Sequence, residues 1–169
     1  AGLIAKFSKI LEPLLCRIMP DIPRGHPALG SITMNMSANV LGLDNAATPF
    51  GIKAMQDMQT LSPVKDTLTN SQILFLVLNT SSVTLFPIAV FLYRAEQGAA
   101  QPTDVFIPIL LATSASTLVG LFVTCAIQQV NLFNRVVMTY LVGVFSLLTA
   151  VILYFSKLAT DQLAAQSSL

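Results

Sequence analysis

Apolar positions recur at helical spacing from the start of the chain. Leu3, Ile4, Phe7, Ile10, Leu11, Leu14, Leu15 and Ile18 share one face over Ala1–Met19, with Lys6, Lys9 and Arg17 opposite. The stripe predicts an amphipathic helix that lies in a membrane interface or packs on the rest of the protein, with a kink expected at Pro13. Met19–Pro27 holds three prolines and a glycine in nine residues and predicts a loop. Its His26, the single histidine, has no local partners for ligation and is expected to serve the loop or cap a helix.

The pattern then turns into a helix over Ala28–Gly42, about 22 Å long at about 1.5 Å per residue. That is too short for a hydrocarbon core of about 30 Å. Gly42 is a natural terminator. Asp44-Asn45-Ala46-Ala47 forms a polar break, and Thr48-Pro49 predicts a restart with Thr48 as N-cap and Pro49 at the first helical position. The second piece runs to about Gln59, and Ser62-Pro63 closes the unit. Two short helices around a polar break have the form of a re-entrant hairpin or a discontinuous helix, and their shortness favours the hairpin. Three segments of near-spanning length follow: Gln72–Tyr93, interrupted by Asn79–Ser82 and by Pro87, then Asp104–Ile127, then Val136–Phe155. The expected organisation is an interfacial helix and Pro-rich loop over 1–27, the broken hairpin over 28–60, three transmembrane helices over 72–157 and a flexible tail over 158–169. The fold class is therefore an all-α integral membrane protein.

Composition narrows the chemistry. The chain is 54% hydrophobic and 10% charged, with mean hydropathy +0.72, whereas soluble domains are about 25% charged. A net charge of +1 offers no basic surface for nucleic acid. Cys16 and Cys125 lie in separate apolar segments with no CxxC spacing and read as packing residues. One histidine, two isolated cysteines and few acids assemble no nucleophile–base or metal constellation, so no enzyme activity and no cofactor are expected. Met34, Met36, Met55 and Met58 read as gap-fillers rather than soft-metal ligands.

Candidate function concentrates in Asn35–Gly51. Ser31, Asn35 and Asn39 recur at four-residue steps and share a helix face. Thr113, Thr117, Gly120, Thr124 and Gln128 make a second stripe, and Thr139, Gly143, Ser146 and Ala150 a third; small residues so spaced let membrane helices approach. Large amides and an acid beside a helix break have no such packing use. The end of the first short helix concentrates negative potential, to which Asp44 adds, and this favours a cation or proton. The start of the second presents N–H groups to an acceptor oxygen. The candidate solute- or ion-binding set is Asn35, Asn39, Asp44, Asn45 and Thr48, with Asn79 and Ser82 from the interrupted segment Gln72–Tyr93. Two function classes follow: a transporter or channel part passing a polar solute or ion, or a non-transporting assembly protein whose polar faces bind a partner subunit.

Met34-Asn-Met-Ser-Ala-Asn-Val-Leu-Gly-Leu-Asp-Asn-Ala-Ala-Thr-Pro-Phe-Gly-Ile-Lys-Ala-Met55, with Gln56 and Gln59 and the approach Arg17–Gly30, resembles the signature of the spore maturation protein A family, within the nucleoside-recognition or Gate domain group. The resemblance is specific over about residues 17–59. It implies a multi-helix Gate domain in the bacterial cytoplasmic (inner) membrane, with several passes. It also implies a partner: a spore maturation protein B-like membrane subunit or a fused second Gate half, in a homo- or hetero-oligomer. It further implies apolar helices upstream of the segment matching Ala1, so the chain is expected to be a piece or processed part of a longer protein.

Overall fold

The computed structural model of the chain describes residues 2–64 and 67–167; side chains at 2–8, Asp44, 155–156 and 158–167 lie outside the described residues. Among the described residues there are seven helices and no strand: α1 (Gly2–Ile18), α2 (Pro27–Val40), α3 (Asp44–Gln59), α4 (Asn70–Thr80), α5 (Ile88–Glu96), α6 (Phe106–Ile127) and α7 (Arg135–Ser167). They divide into two units, residues 1–132 and 133–169.

In the first unit, the C-terminal half of the amphipathic face of α1 packs on α2, with Leu15, Ile18 and the following Met19 buried and Ile10 left outside. The proline-rich loop ends as a helix start. His26 is the N-cap of α2, its Nδ1 accepting the Ala28 N–H at 3.2 Å, and Pro27 occupies the first helical turn, where no N–H is needed.

The end of α2 follows from Gly42. The Leu43 N–H donates to the Ala38 carbonyl at 2.8 Å and the Gly42 N–H to the Asn39 carbonyl at 3.0 Å. This is a Schellman closure, which needs a left-handed residue, and Gly42 supplies it at φ +67. The chain reverses at once into α3, which starts earlier than the sequence predicts. Leu43, not Thr48, is the N-cap, and Asp44 is the first helical residue. The carbonyl of Leu43 already accepts from Ala46 and Ala47, so the turn is helical before Thr48 is reached. Pro49 therefore lies inside α3, removing the N–H that would bond the Asn45 carbonyl.

The helices α2 and α3 run antiparallel. At their open end the Ser31 hydroxyl donates to Asp57 at 2.5 Å, and towards the tip the Asn35 amide donates to the Ala47 carbonyl at 2.7 Å. Ala47, Gly51, Ala54 and Met58 line the buried face of α3, and the first three are small residues that let α2 approach.

The expected single helix over Gln72–Tyr93 is two helices. A Thr69–Gln72 capping box opens α4, which stops at Thr80; α5 begins at Ile88 after Pro87. Between them Ser81-Ser82-Val83-Thr84 combines hydroxyls that compete for backbone groups with β-branched side chains, and Pro87 disfavours helical backbone just before it. The Ser81 hydroxyl donates to the Val77 carbonyl at 2.7 Å.

Against this broken segment runs α6, antiparallel. The Gln128 amide donates to the Asn70 carbonyl at 2.8 Å at one end. At the other, the Phe91 and Phe106 rings meet at a tilt of 55° with centroids 6.4 Å apart, and Arg94 donates to the Pro102 carbonyl at 3.1 Å. In between, the Thr117 hydroxyl donates to the Ser81 carbonyl. Gly120 sits so close that a Cβ there would lie 2.9 Å from a Val77 methyl.

Two helices are long and apolar enough to cross a membrane, Phe106–Ile127 and the Arg135–Tyr154 part of α7. Only 11% of the α6 window is buried within the fold, and Val119, Phe122 and Ile127 are exposed, so most of its apolar surface lies outside the core.

The second unit holds α7. Thr139, Ser146 and Thr149 donate to carbonyls of their own helix, which hides hydroxyls where water is scarce. Its helical backbone continues to Ser167, through the segment expected to be a loose tail. Ala, Leu and Gln, which recur in that stretch, are good helix formers.

Candidate functional site at two helix breaks

The two breaks meet. The Leu85 N–H, in the second break, donates to the Val40 carbonyl at the end of α2 at 3.0 Å. A helix end of one segment is thus bonded by the irregular backbone of the other. Gly42 faces the same place: a Cβ added there would overlap the Phe86 carbonyl oxygen and come within 3.3 Å of its carbon. Only glycine allows this approach.

Beside the junction lies a cluster of amides. Asn39 donates to the Asn79 carbonyl oxygen at 2.5 Å and lies 3.4 Å from the Asn35 carbonyl oxygen. Asn35 is buried and also donates to Ala47. Gly51 supports the cluster from α3, its missing Cβ leaving 3.0 Å to the Asn35 amide nitrogen. Since Asn39 is the donor to Asn79, the Asn39 carbonyl oxygen and the Asn79 amide group remain outside that bond. Both residues are half-buried, and the Asn79 amide nitrogen lies beside Gly51.

The sequence-predicted residues separate accordingly. Asn35, Asn39 and Asn79 come together, and Ser82 stands half-buried in the adjoining break. Asn45 and Thr48 lie on the exposed side of α3 and not in the amide cluster. Asp44 opens α3 at the tip of the hairpin; its side chain lies outside the described residues. Thr117 and Gly120, read from the sequence mainly as packing positions, pack where α6 approaches the start of the second break. The break itself falls where the sequence interrupts its apolar pattern, at Asn79–Ser82 and Pro87.

At the open end of the hairpin a second polar group assembles. Lys53 pairs with Asp57 at 2.9 Å, and the Gln72 amide donates to Gln59 at 2.9 Å. The Ser31 hydroxyl and then Lys53 hold the Asp57 carboxyl below the usual aspartate range. Nearby, the Ser71 hydroxyl donates to Asp21 at 3.2 Å, tying the proline-rich loop to α4. Surface grooves of about 250 and 280 Å³ flank Glu12 on the α1 side; neither reaches the breaks.

These features define a helical protein with two apposed helix breaks and apolar helices of spanning length. The family described as Gate, nucleoside recognition, matches residues 1–97. Spore maturation protein A of Bacillus subtilis (strain 168) is 44% identical over 116 residues, covering 69% of this chain and 59% of that relative. The chain belongs to the nucleoside-recognition Gate family and resembles its spore maturation protein A members. It spans about 59% of the length of that relative. No solved structure matches it.

Proposed function

We propose that the chain is one part of a membrane complex that passes or gates a small polar solute or ion, with the two helix breaks as its site. The observation that carries this reading is the Leu85–Val40 bond between the breaks, level with the middle of α6. Thr117, which holds the second break, is 11 residues from Phe106 and 10 from Ile127. At about 1.5 Å per residue this sets the junction about 15–17 Å from either end of α6. In a core of about 30 Å that is mid-depth.

On this reading α2 and α3 form a re-entrant hairpin whose tip reaches the midplane. The stretches 27–52, 67–93 and 105–134 contain one residue charged at neutral pH, Asp44, and it falls at that tip. Ionisable groups at such depth mark solute or ion paths. The ends of α2 and α4 bring partial negative charge and the starts of α3 and α5 partial positive charge, so a polar solute meets both signs.

Asn45, Thr48, Lys53 and Gln56 leave a polar face of α3 exposed. Lipid is a poor neighbour for such a face, which supports a second helical membrane subunit, of the spore maturation protein B kind or another Gate half, covering it. An assembly role without transport is favoured by one observation: Asn35, Asn39 and Asn79 already bond one another, as structural glue would.

The test uses a Bacillus subtilis strain lacking its spore maturation protein A, complemented with the full-length protein carrying this chain. Spore maturation and spore-core water content are scored at matched membrane abundance. Asp44→Asn and Asn39→Ala are expected to abolish complementation while the protein still accumulates. Full complementation by both would leave the assembly role in place of the transport reading.

A further inference from the structure

The groove of about 250 Å³ on the α1 side is walled by Lys9, Glu12, Pro13 and Cys16 of α1 and by Arg24 of the proline-rich loop. Lys9, Pro13 and Cys16 follow one another at steps of four and three residues, so they share one face of α1. Arg24 brings a second cation to that face from another element.

The charges of the groove are unpaired. Among the described residues the ion pair is Lys53–Asp57, and Lys9, Glu12 and Arg24 meet neither an ion-pair nor a side-chain hydrogen-bond partner. Lys9 and Arg24 are exposed, while Glu12 is half-buried, where a carboxylate gains from a charged donor. Pro13 has no N–H for the Lys9 carbonyl, which leaves that carbonyl without its usual helical partner. The groove therefore offers two cationic side chains to an anion, and a carboxylate with a backbone acceptor near it to an amine. A ligand that carries both signs satisfies all of them.

Depth decides what brings such a ligand. With its Val40 end at the junction of the breaks, α2 runs 14 residues from Pro27, about 20 Å at about 1.5 Å per residue. The junction lies at mid-depth, so the loop that carries Arg24 lies about 20 Å from the midplane. Lipid headgroups occupy the layer from about 15 to about 22 Å. Asp21 and Asp57 lie at the same end of the unit, as charged groups at that level would. Ile10, next to Lys9, is 55% exposed and gives apolar surface for acyl chains beside the groove.

We infer that this groove binds the headgroup of a phospholipid ending in a primary amine, with the phosphate between Lys9 and Arg24 and the ammonium on Glu12. The inference rests on the membrane depth assigned above and not on transport.

The test is native mass spectrometry of the full-length protein carrying this chain. The protein is held in micelles with equal amounts of phosphatidylethanolamine, phosphatidylglycerol and phosphatidylcholine of matched chains. The native protein is expected to retain phosphatidylethanolamine over the other two, since the glycerol headgroup has no amine and the choline headgroup has no N–H to donate. Lys9→Gln with Arg24→Gln is expected to lower its retention about three- to tenfold. Arg17→Gln, on α1 but outside the groove, and Arg94→Gln, at the opposite end of the unit, are expected to leave it unchanged. Glu12→Gln is expected to remove the preference for phosphatidylethanolamine over phosphatidylglycerol while both still bind. All of these positions but Glu12 and Arg94 are exposed, and circular dichroism checks that each variant keeps its helices.

Retention by the Lys9–Arg24 double variant equal to that of Arg94→Gln overturns the site. An unchanged lipid preference in Glu12→Gln overturns the amine assignment. Displacement of the lipid by equimolar free phosphoethanolamine overturns the membrane as its source. Each of these failures leaves the complementation results of Asp44→Asn and Asn39→Ala as they are, so the two readings fail separately.

Discussion

Gly42→Ala tests the contact between the two helix breaks most directly. Gly42 lies at φ +67, and an added Cβ would meet the Phe86 carbonyl. The left-handed backbone alone costs a non-glycine residue about 1–2 kcal/mol. The collision is with backbone and not with the tip of a flexible side chain, so the breaks must separate, adding about 1–3 kcal/mol of overpacking. Separation also endangers the Leu85–Val40 hydrogen bond, worth about 0.5–1.5 kcal/mol net.

Gly98→Ala is the control. Gly98 lies at φ +76 with nothing within 4 Å of a Cβ, so it carries the backbone cost without the collision. Unfolding of both variants is measured in mixed micelles by titration with a denaturing detergent, following helical circular dichroism. Gly42→Ala is expected to lose about 1.5–4.5 kcal/mol more than Gly98→Ala, the collision and hydrogen-bond contributions together. Equal losses would mean that the breaks do not touch, and the site built on their junction would lose its geometric basis.

The amide cluster and the hairpin base give further expectations. A double-mutant cycle on Asn39→Ala and Asn79→Ala should return a coupling of about 0.5–1.5 kcal/mol in the same titration; a value near zero would refute a bond between the segments. The Asp57 carboxyl is held below its usual range by Ser31 and Lys53, so its unfolded form binds a proton first on acidification. The stabilisation is fully present above about pH 4, the ordinary aspartate value, and is lost as pH falls through the lower folded value. Asp57→Asn should therefore be less stable at neutral pH and show a flatter acid limb in micelles; an unchanged limb would refute the Ser31–Asp57 assignment.

What could be read from the sequence is what nearby residues decide among themselves. Gly42 as a terminator, His26 as a cap and the shared face of Asn35 and Asn39 all stand in the structure, because closures, caps and helix faces span only a few residues. The composition likewise announced apolar helices without a soluble core around them. Local rules misplaced the start of α3. Thr48-Pro49 is a good helix start in isolation, but the Schellman closure at Gly42 delivers Leu43 already placed to accept from Ala46 and Ala47. They marked an interruption in Gln72–Tyr93 but not that it divides the segment into two helices, because how far the chain leaves helical backbone there depends on its contacts with α2 and α6.

The chain pattern by itself determined where helices can form and which of their faces are polar. Only the tertiary structure decided that Asn39 meets Asn79 across 40 residues, that Leu85 caps Val40, and that both breaks lie beside the middle of α6. Such pairings depend on how closely helices pack, which Gly42, Gly51 and Gly120 permit at three separate contacts. A missing side chain signals freedom of approach, but the partner that uses it is set by the packing of the whole unit.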